Sequence, residues 1–136
     1  MKARHFIYGQ LSSPGITSLL AHGINSIYAK KTMTSAVEDH VYLVYKLGND
    51  TAEELSEDTS ITRQFFQVFV HDYFDGETAD YDKIDDVITM IKRVFKNANG
   101  SGIWTTRFLE ASQDLDDDTL NTVFRYARFQ LIREDK

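Results

Sequence analysis

The 136-residue chain has no cysteine, one proline and one tryptophan, Trp104. Without a thiol there is no disulfide, no thiolate metal site and no cysteine nucleophile, which suits a reducing cytosolic origin. No stretch approaches the ~20 consecutive apolar residues of a membrane-spanning helix. The opening Met1–Tyr8 carries too short an apolar run for a signal peptide, so a chain soluble throughout is expected. Positive charge is also scarce: 15 Lys and Arg stand against 21 Asp and Glu, for a formal charge of −6. That balance argues against a broad electrostatic footprint on nucleic acid, and Lys30–Lys31 is one small basic exception.

Chemical motifs are missing as well. Ser12 and Ser13 lack a Gly-x-Ser-x-Gly setting. Gly100–Ser101–Gly102 follows a helical pattern, where it reads as a stop and not as a phosphate cradle before a helix. His5, His22, His40 and His71 are scattered, with no metal-ligand spacing between any two. The acidic stretch His71 to Asp82 does not follow the EF-hand order of ligands, and it reads as a solvated loop whose last acid caps a helix. Asp114, Asp116, Asp117 and Asp118 read as an exposed acidic turn. The residues therefore indicate no catalytic, cofactor or metal site, and the chain is read as a non-enzyme.

What is present is the material of one domain, residues 1–136. Hydrophobic residues make up 42%, with nine Phe and seven Tyr, which favours a strand-rich core with some aromatics facing a partner. The clearest unit is Thr62–Gly100. In Ile61–Asp72, Phe66, Val68 and Val70 share one face, suited to a helix-covered core. Phe65, Gln67, Phe69 and His71 share the other, suited to a partly covered face. Next, Ile84, Val87, Ile88, Ile91, Val94 and Phe95 keep the helical i, i+3, i+4, i+7 spacing. Asp80 is placed as N-cap, with Asp82, Asp85 and Asp86 near the positive end of the helix dipole. Lys92, Arg93 and Lys96 lie near its negative end, and Asn99–Gly100 is the expected stop.

Before this unit, Met1–Leu11 could add a strand or pack as a helix. Ser13–Pro14 predicts a short helix from Pro14 to His22, with Gly23 as its stop. Ile24–Tyr28 predicts a short strand, and Lys30–Asp39 a loop. Val41–Leu47 predicts a central strand that turns at Gly48–Asn49–Asp50, followed by a polar loop, Thr51–Ser60, with at most one helical turn. After the unit, Ile103–Gln113 and Thr119–Ile132 predict an antiparallel hairpin. The sum is an α+β fold: a mixed, mostly antiparallel sheet with one long and one short helix packed on one face.

Three segments carry a family resemblance. The first is His5–Phe6–Ile7–Tyr8–Gly9–Gln10–Leu11, with Ile24–Asn25–Ser26–Ile27 after a short helix. The second is Phe66–Gln67–Val68–Phe69–Val70–His71–Asp72, then Asp80–Tyr81–Asp82–Lys83–Ile84–Asp85–Asp86–Val87. The third is Ser112–Gln113–Asp114–Leu115–Asp116–Asp117 before the long strand Thr122–Leu131. In this pattern the chain resembles the tail-completion, or tail-terminator, proteins of long-tailed, siphovirus-type bacteriophages. The resemblance implies a virion subunit, made in the host cytoplasm, that closes into a ring, commonly a hexamer, at the head–tail junction. It would stop polymerisation of the tail-tube protein and offer a docking face to the head connector, with DNA as passing cargo and no cofactor. An acidic lumen would then repel the passing phosphates. The loops Lys30–Asp39 and Asn49–Ser60 would touch neighbouring rings, and an exposed strand edge would pair with a neighbouring subunit. Tyr73, Phe74, Lys30 and Lys31 are the expected subunit contacts. The alternative is a small, acidic, monomeric inhibitor or immunity-type protein that blocks a basic partner.

Overall fold

A computed structural model describes residues 2–29, 41–57, 59–73, 81–100, 102–119 and 121–134. Its helices are α1 (Lys2–Leu11), α2 (Pro14–Thr17) and α3 (Tyr81–Phe95), with a 3-10 turn at Gly23–Ser26. Its strands are β1 (Ile27–Ala29), β2 (Val41–Glu54), β3 (Ser60–Tyr73), β4 (Ile103–Ala111), β5 (Leu115–Asp117) and β6 (Thr122–Glu134). They form one six-stranded sheet in the order β1-β2-β3-β6-β4, with β5 paired to β6 beyond the end of β4. Among the described strands only the β1–β2 pair is parallel; β2–β3, β3–β6, β4–β6 and β5–β6 are antiparallel. The mixed, mostly antiparallel α+β architecture is the one the sequence predicts.

β3 shows how alternation is converted into layers. Phe66, Val68 and Val70 are fully buried, while Phe65, Gln67 and Phe69 between them are half-buried. The buried set meets Phe129 and Ala127 of β6 and Leu43 and Tyr45 of β2 across the ladder. α3 lies on this face and inserts Ile84, Val87, Ile88, Ile91 and Phe95, the stripe its spacing predicts. The rings of Phe66, Phe95 and Phe129 stand 5.1–5.2 Å apart in a closed triangle. α1 joins the same core through Phe6, Ile7 and Leu11, which resolves the opening segment as a helix.

Both ends of α3 are tied to the sheet side. Asp85, in its second turn, accepts a 2.6 Å hydrogen bond from Arg125 Nη1, and Arg125 Nε donates to the Ser112 carbonyl at 2.9 Å. Tyr81 Oη donates to the Leu115 carbonyl at 2.8 Å. At the other end, buried Thr106 on β4 donates to the terminal carbonyls of Phe95 and Ala98. Orphan carbonyls at a helix end need such partners.

Several expected boundaries move. The helix from Pro14 stops at Thr17, and Ser13 makes no side-chain cap; Gly23, with φ +59°, opens the 3-10 turn instead of ending a helix. The strand expected at Ile24–Tyr28 is confined to Ile27–Ala29. α3 ends at Phe95, and Asn97, two residues on, has a φ of 57°, the left-handed conformation that stops a helix; the expected stop, Asn99–Gly100, comes later. Gly48–Asp50 is not a turn. β2 runs through it with a register shift between Leu47 and Asp50. At this bulge the Gly48 Cα lies so near β3 that an added Cβ would stand 3.4 Å from the Phe65 Cβ. The expected polar loop is consequently the far half of a hairpin, with Thr51–Glu54 paired to Ser60–Arg63. The Asp114–Asp118 turn contains β5. The Lys30–Asp39 loop and the Asp80 cap lie outside the described residues.

The aromatic triangle makes a stability prediction. Phe129→Ala removes the ring shared by α3 and three strands, and should cost about 3–5 kcal/mol in urea unfolding. Asn97→Val, at a left-handed position, should cost about 1–2 kcal/mol by the same measurement.

Candidate interaction face

The second face of the sheet carries no described helix. Alternation places Tyr42, Val44 and Lys46 of β2 there, with Phe65, Gln67, Phe69, His71 and Tyr73 of β3 and Phe124, Tyr126 and Arg128 of β6. A sheet face turned away from the core usually becomes polar. This one is aromatic instead. His71 is stacked between Tyr42, at 4.9 Å and 6°, and Phe124, at 4.8 Å and 22°. Tyr28 meets Tyr42 edge-on at 5.9 Å, and Phe69 touches both Phe124 and Tyr126. Two cations lie over rings: Lys46 Nζ 5.0 Å from the centre of Phe69, and the Arg128 guanidinium 4.4 Å from Phe65. Such contacts are worth ~0.5–1 kcal/mol each at exposed sites.

His71 is the one strongly perturbed titratable group described. Its Nδ1 and the Thr122 hydroxyl share a 2.9 Å hydrogen bond, and the residue is 5% exposed. Burial pulls its pKa from 6.5 down to about 4, with the Asp117 carboxylate acting weakly in the other direction. The ring is therefore neutral at physiological pH and serves as one more plate in an aromatic stack. Among the described residues, no three His, Asp or Glu side chains come together to hold a metal ion. A cleft of about 440 Å³ lies between the end of α3 and β4, lined by Lys92, Arg93, Lys96, Arg107 and Phe108 among others.

Of the expected contact residues, Tyr73 falls on this face, half-buried at the end of β3 and opposite Thr122. Phe74, Lys30 and Lys31 lie outside the described residues. The residues that the sequence reading missed as a group are Tyr42, His71, Phe124 and Tyr126. Each strand's alternation could be read separately. The register that stacks them across three strands could not.

The arrangement presents a broad aromatic surface with Lys46 and Arg128 over its rings. No family model and no curated protein matches the chain. Its fold is similar to that of a chain in a solved structure of the virion of a native gene transfer agent (GTA) particle. The TM-score is 0.68 over 95% of this chain and 92% of that one, with 13% of residues identical. At that identity the likeness is one of fold.

The buried histidine sets a pH dependence. Because its folded pKa lies below its unfolded one, its full contribution is present above pH 6.5 and is lost as pH falls through that value toward 4. His71→Phe keeps the stack and removes the titration. Over this window the parent chain should lose on the order of 3 kcal/mol more than the variant in denaturant unfolding; parallel curves would exclude the assignment.

Proposed function

We propose that this chain is a structural virion protein that caps the end of a phage tail tube as a ring, stops its polymerisation and joins the tail to the head connector. The observation that carries the reading is the fold shared, along nearly the whole of both chains, with a component of a gene transfer agent virion. The segments that resemble tail terminators lie on elements that build the fold. Gln67 to Asp72 is the inner half of β3, Tyr81 to Val87 is the start of α3, and Leu115–Asp117 is β5. A capping subunit needs surfaces more than it needs a reaction centre. The open aromatic face and the exposed β2–β3 hairpin arm supply such surfaces.

The charge also suits a passage for DNA. With a formal charge of −6, and with Asp50, Glu53, Glu54 and Glu57 on the exposed arm, the chain repels phosphate more than it binds it. The partners in this reading are further copies of the chain, hexameric by the resemblance, together with the tail-tube protein and the head connector; DNA passes without being held.

The test is electron microscopy of particles assembled with and without the chain, and of particles labelled with an antibody against it. Omission should give overlong tubes and heads without tails, and the label should sit at one end of the tube. Label spread along the tube, or normal tails without the chain, would defeat the reading. Recovery of the chain as a monomer bound to a basic protein would favour the inhibitor alternative.

A further inference from the structure

Among the described residues the sheet has two unpaired stretches of edge, and they differ in chemistry. On one side, β1 covers only Leu43–Tyr45 of β2, so the far half of β2, Lys46–Glu54, is paired to β3 and has no strand on its outer side among the described residues. Its residues from Gly48 to Glu54 are exposed. On the other side, β4 pairs with β6 and with no other described strand. Unpaired edges of this kind are templates for another chain.

Register places the two edges at one level. The paired residues run Thr105–Ile132–Arg63–Thr51 across the sheet, and Thr106–Leu131–Gln64–Asp50 in the next row. A third row runs Glu110–Arg128–Gln67–Lys46. Three successive antiparallel pairings also leave β4 antiparallel to β2. A copy rotated about an axis along the strands therefore brings its distal β2 beside β4 at the same height and in antiparallel sense. Such a contact joins unlike surfaces, and it closes a ring when the rotation closes.

Charge distinguishes the edges on both faces. Beside β4, on the helix side, stand Lys92, Arg93 and Lys96 of α3. None of these, nor Arg107, has a carboxylate within ion-pair distance among the described residues; Lys92 lies over the Phe108 ring at 4.5 Å. On the same side, the distal β2 presents Asp50 and Glu54, opposite Gln64 and Ser60. Asp50 has only a 3.8 Å contact with Arg133, and Glu54 has no cation at that range among the described residues. On the open face the level row ends in Glu110 at one edge and Lys46 at the other. Trp104, 44% exposed at the β4 bulge, is the kind of large apolar residue that anchors an interface. Bulges on either side of Thr105–Phe108 confine regular pairing to a short stretch, which limits unselective strand addition.

We infer that these edges are two halves of one contact. The basic β4 edge of one copy pairs antiparallel with the acidic distal β2 edge of a second copy, Thr105 opposite Thr51 and the α3 cations opposite Asp50 and Glu54. The inference rests on the ring reading above and names its subunit interface.

Since the chain has no cysteine, Thr51→Cys and Thr105→Cys introduce unique thiols. Mixed as separate single variants, in concentrated solution and in assembled particles, they should form a T51C–T105C disulfide under mild oxidation. The double variant should give a ladder that ends at the ring size. Lys92→Glu with Lys96→Glu, or Asp50→Lys with Glu54→Lys, should weaken association by about tenfold in sedimentation velocity. All four changes in one chain should restore it, and circular dichroism of each variant separates lost contact from lost fold. An oligomer that forms without the cross-link and without the charge dependence overturns this pairing and leaves the ring. A parent chain that stays monomeric both in solution and on tail tubes overturns both.

Discussion

The triangle of Phe66, Phe95 and Phe129 is the constraint from which the rest of the architecture follows. It fixes the last turn of α3 over the β3–β6 pair, at ring separations of 5.1–5.2 Å. The helix cannot pivot there, because Arg125 and Tyr81 hold its first turns and Thr106 holds its final carbonyls. One long helix thus covers the middle of the sheet on one side, and α1 and α2 fill the space beside it. Coverage of one side leaves, among the described residues, the opposite face without a helix and the two sheet edges without a further strand.

That opposite face carries no described helix, and its apolar surface is still partly hidden. Its aromatic residues shield one another, with Tyr42, His71 and Phe124 stacked and Phe69 leaning on Phe124 and Tyr126. Lys46 and Arg128 lay their stems and charges over the outer rings, as amphipathic side chains do at the margin of a core. A histidine suits the middle of such a stack only while it is neutral, since burial penalises the charged ring. The same surface is amphipathic enough to stand in water and aromatic enough to be buried by a partner. This is the composition found where proteins associate.

The hairpin arm follows a different rule. From Gly48 to Glu57 the chain leaves the core, and every residue there is exposed. Its order comes from the β2–β3 ladder and from the Arg63–Glu53 pair at 3.2 Å, an exposed pair of small value. An arm that spends acidic residues on solvent gains nothing for the monomer's core.

Local signals in the sequence determined the elements whose burial pattern has a period. The stripe of α3, the alternation of β3 and the strand character of β6 follow from spacing alone, because in each element one face meets the apolar core and the other does not. The strand order, and hence which edges stay open, was decided in three dimensions. So was the extension of β2 through Gly48: the glycine reads locally as a turn, yet the ladder with β3 continues past it at the cost of one bulge. The end of α3 at Phe95, with left-handed Asn97 ahead of the expected Asn99–Gly100, is completed by Thr106, which donates to the Phe95 and Ala98 carbonyls from a strand that follows in the chain. The candidate face was legible strand by strand, as a mixed set of aromatic and polar residues. Its stack was not, because register is a relation between strands, set by the packing of the opposite face. The lysines and arginine at the end of α3 were legible as partners of the helix dipole. Their place beside β4, which has no strand on its outer side among the described residues, belongs to the tertiary structure, which brings residues 92–96 and 106–108 together from separate elements.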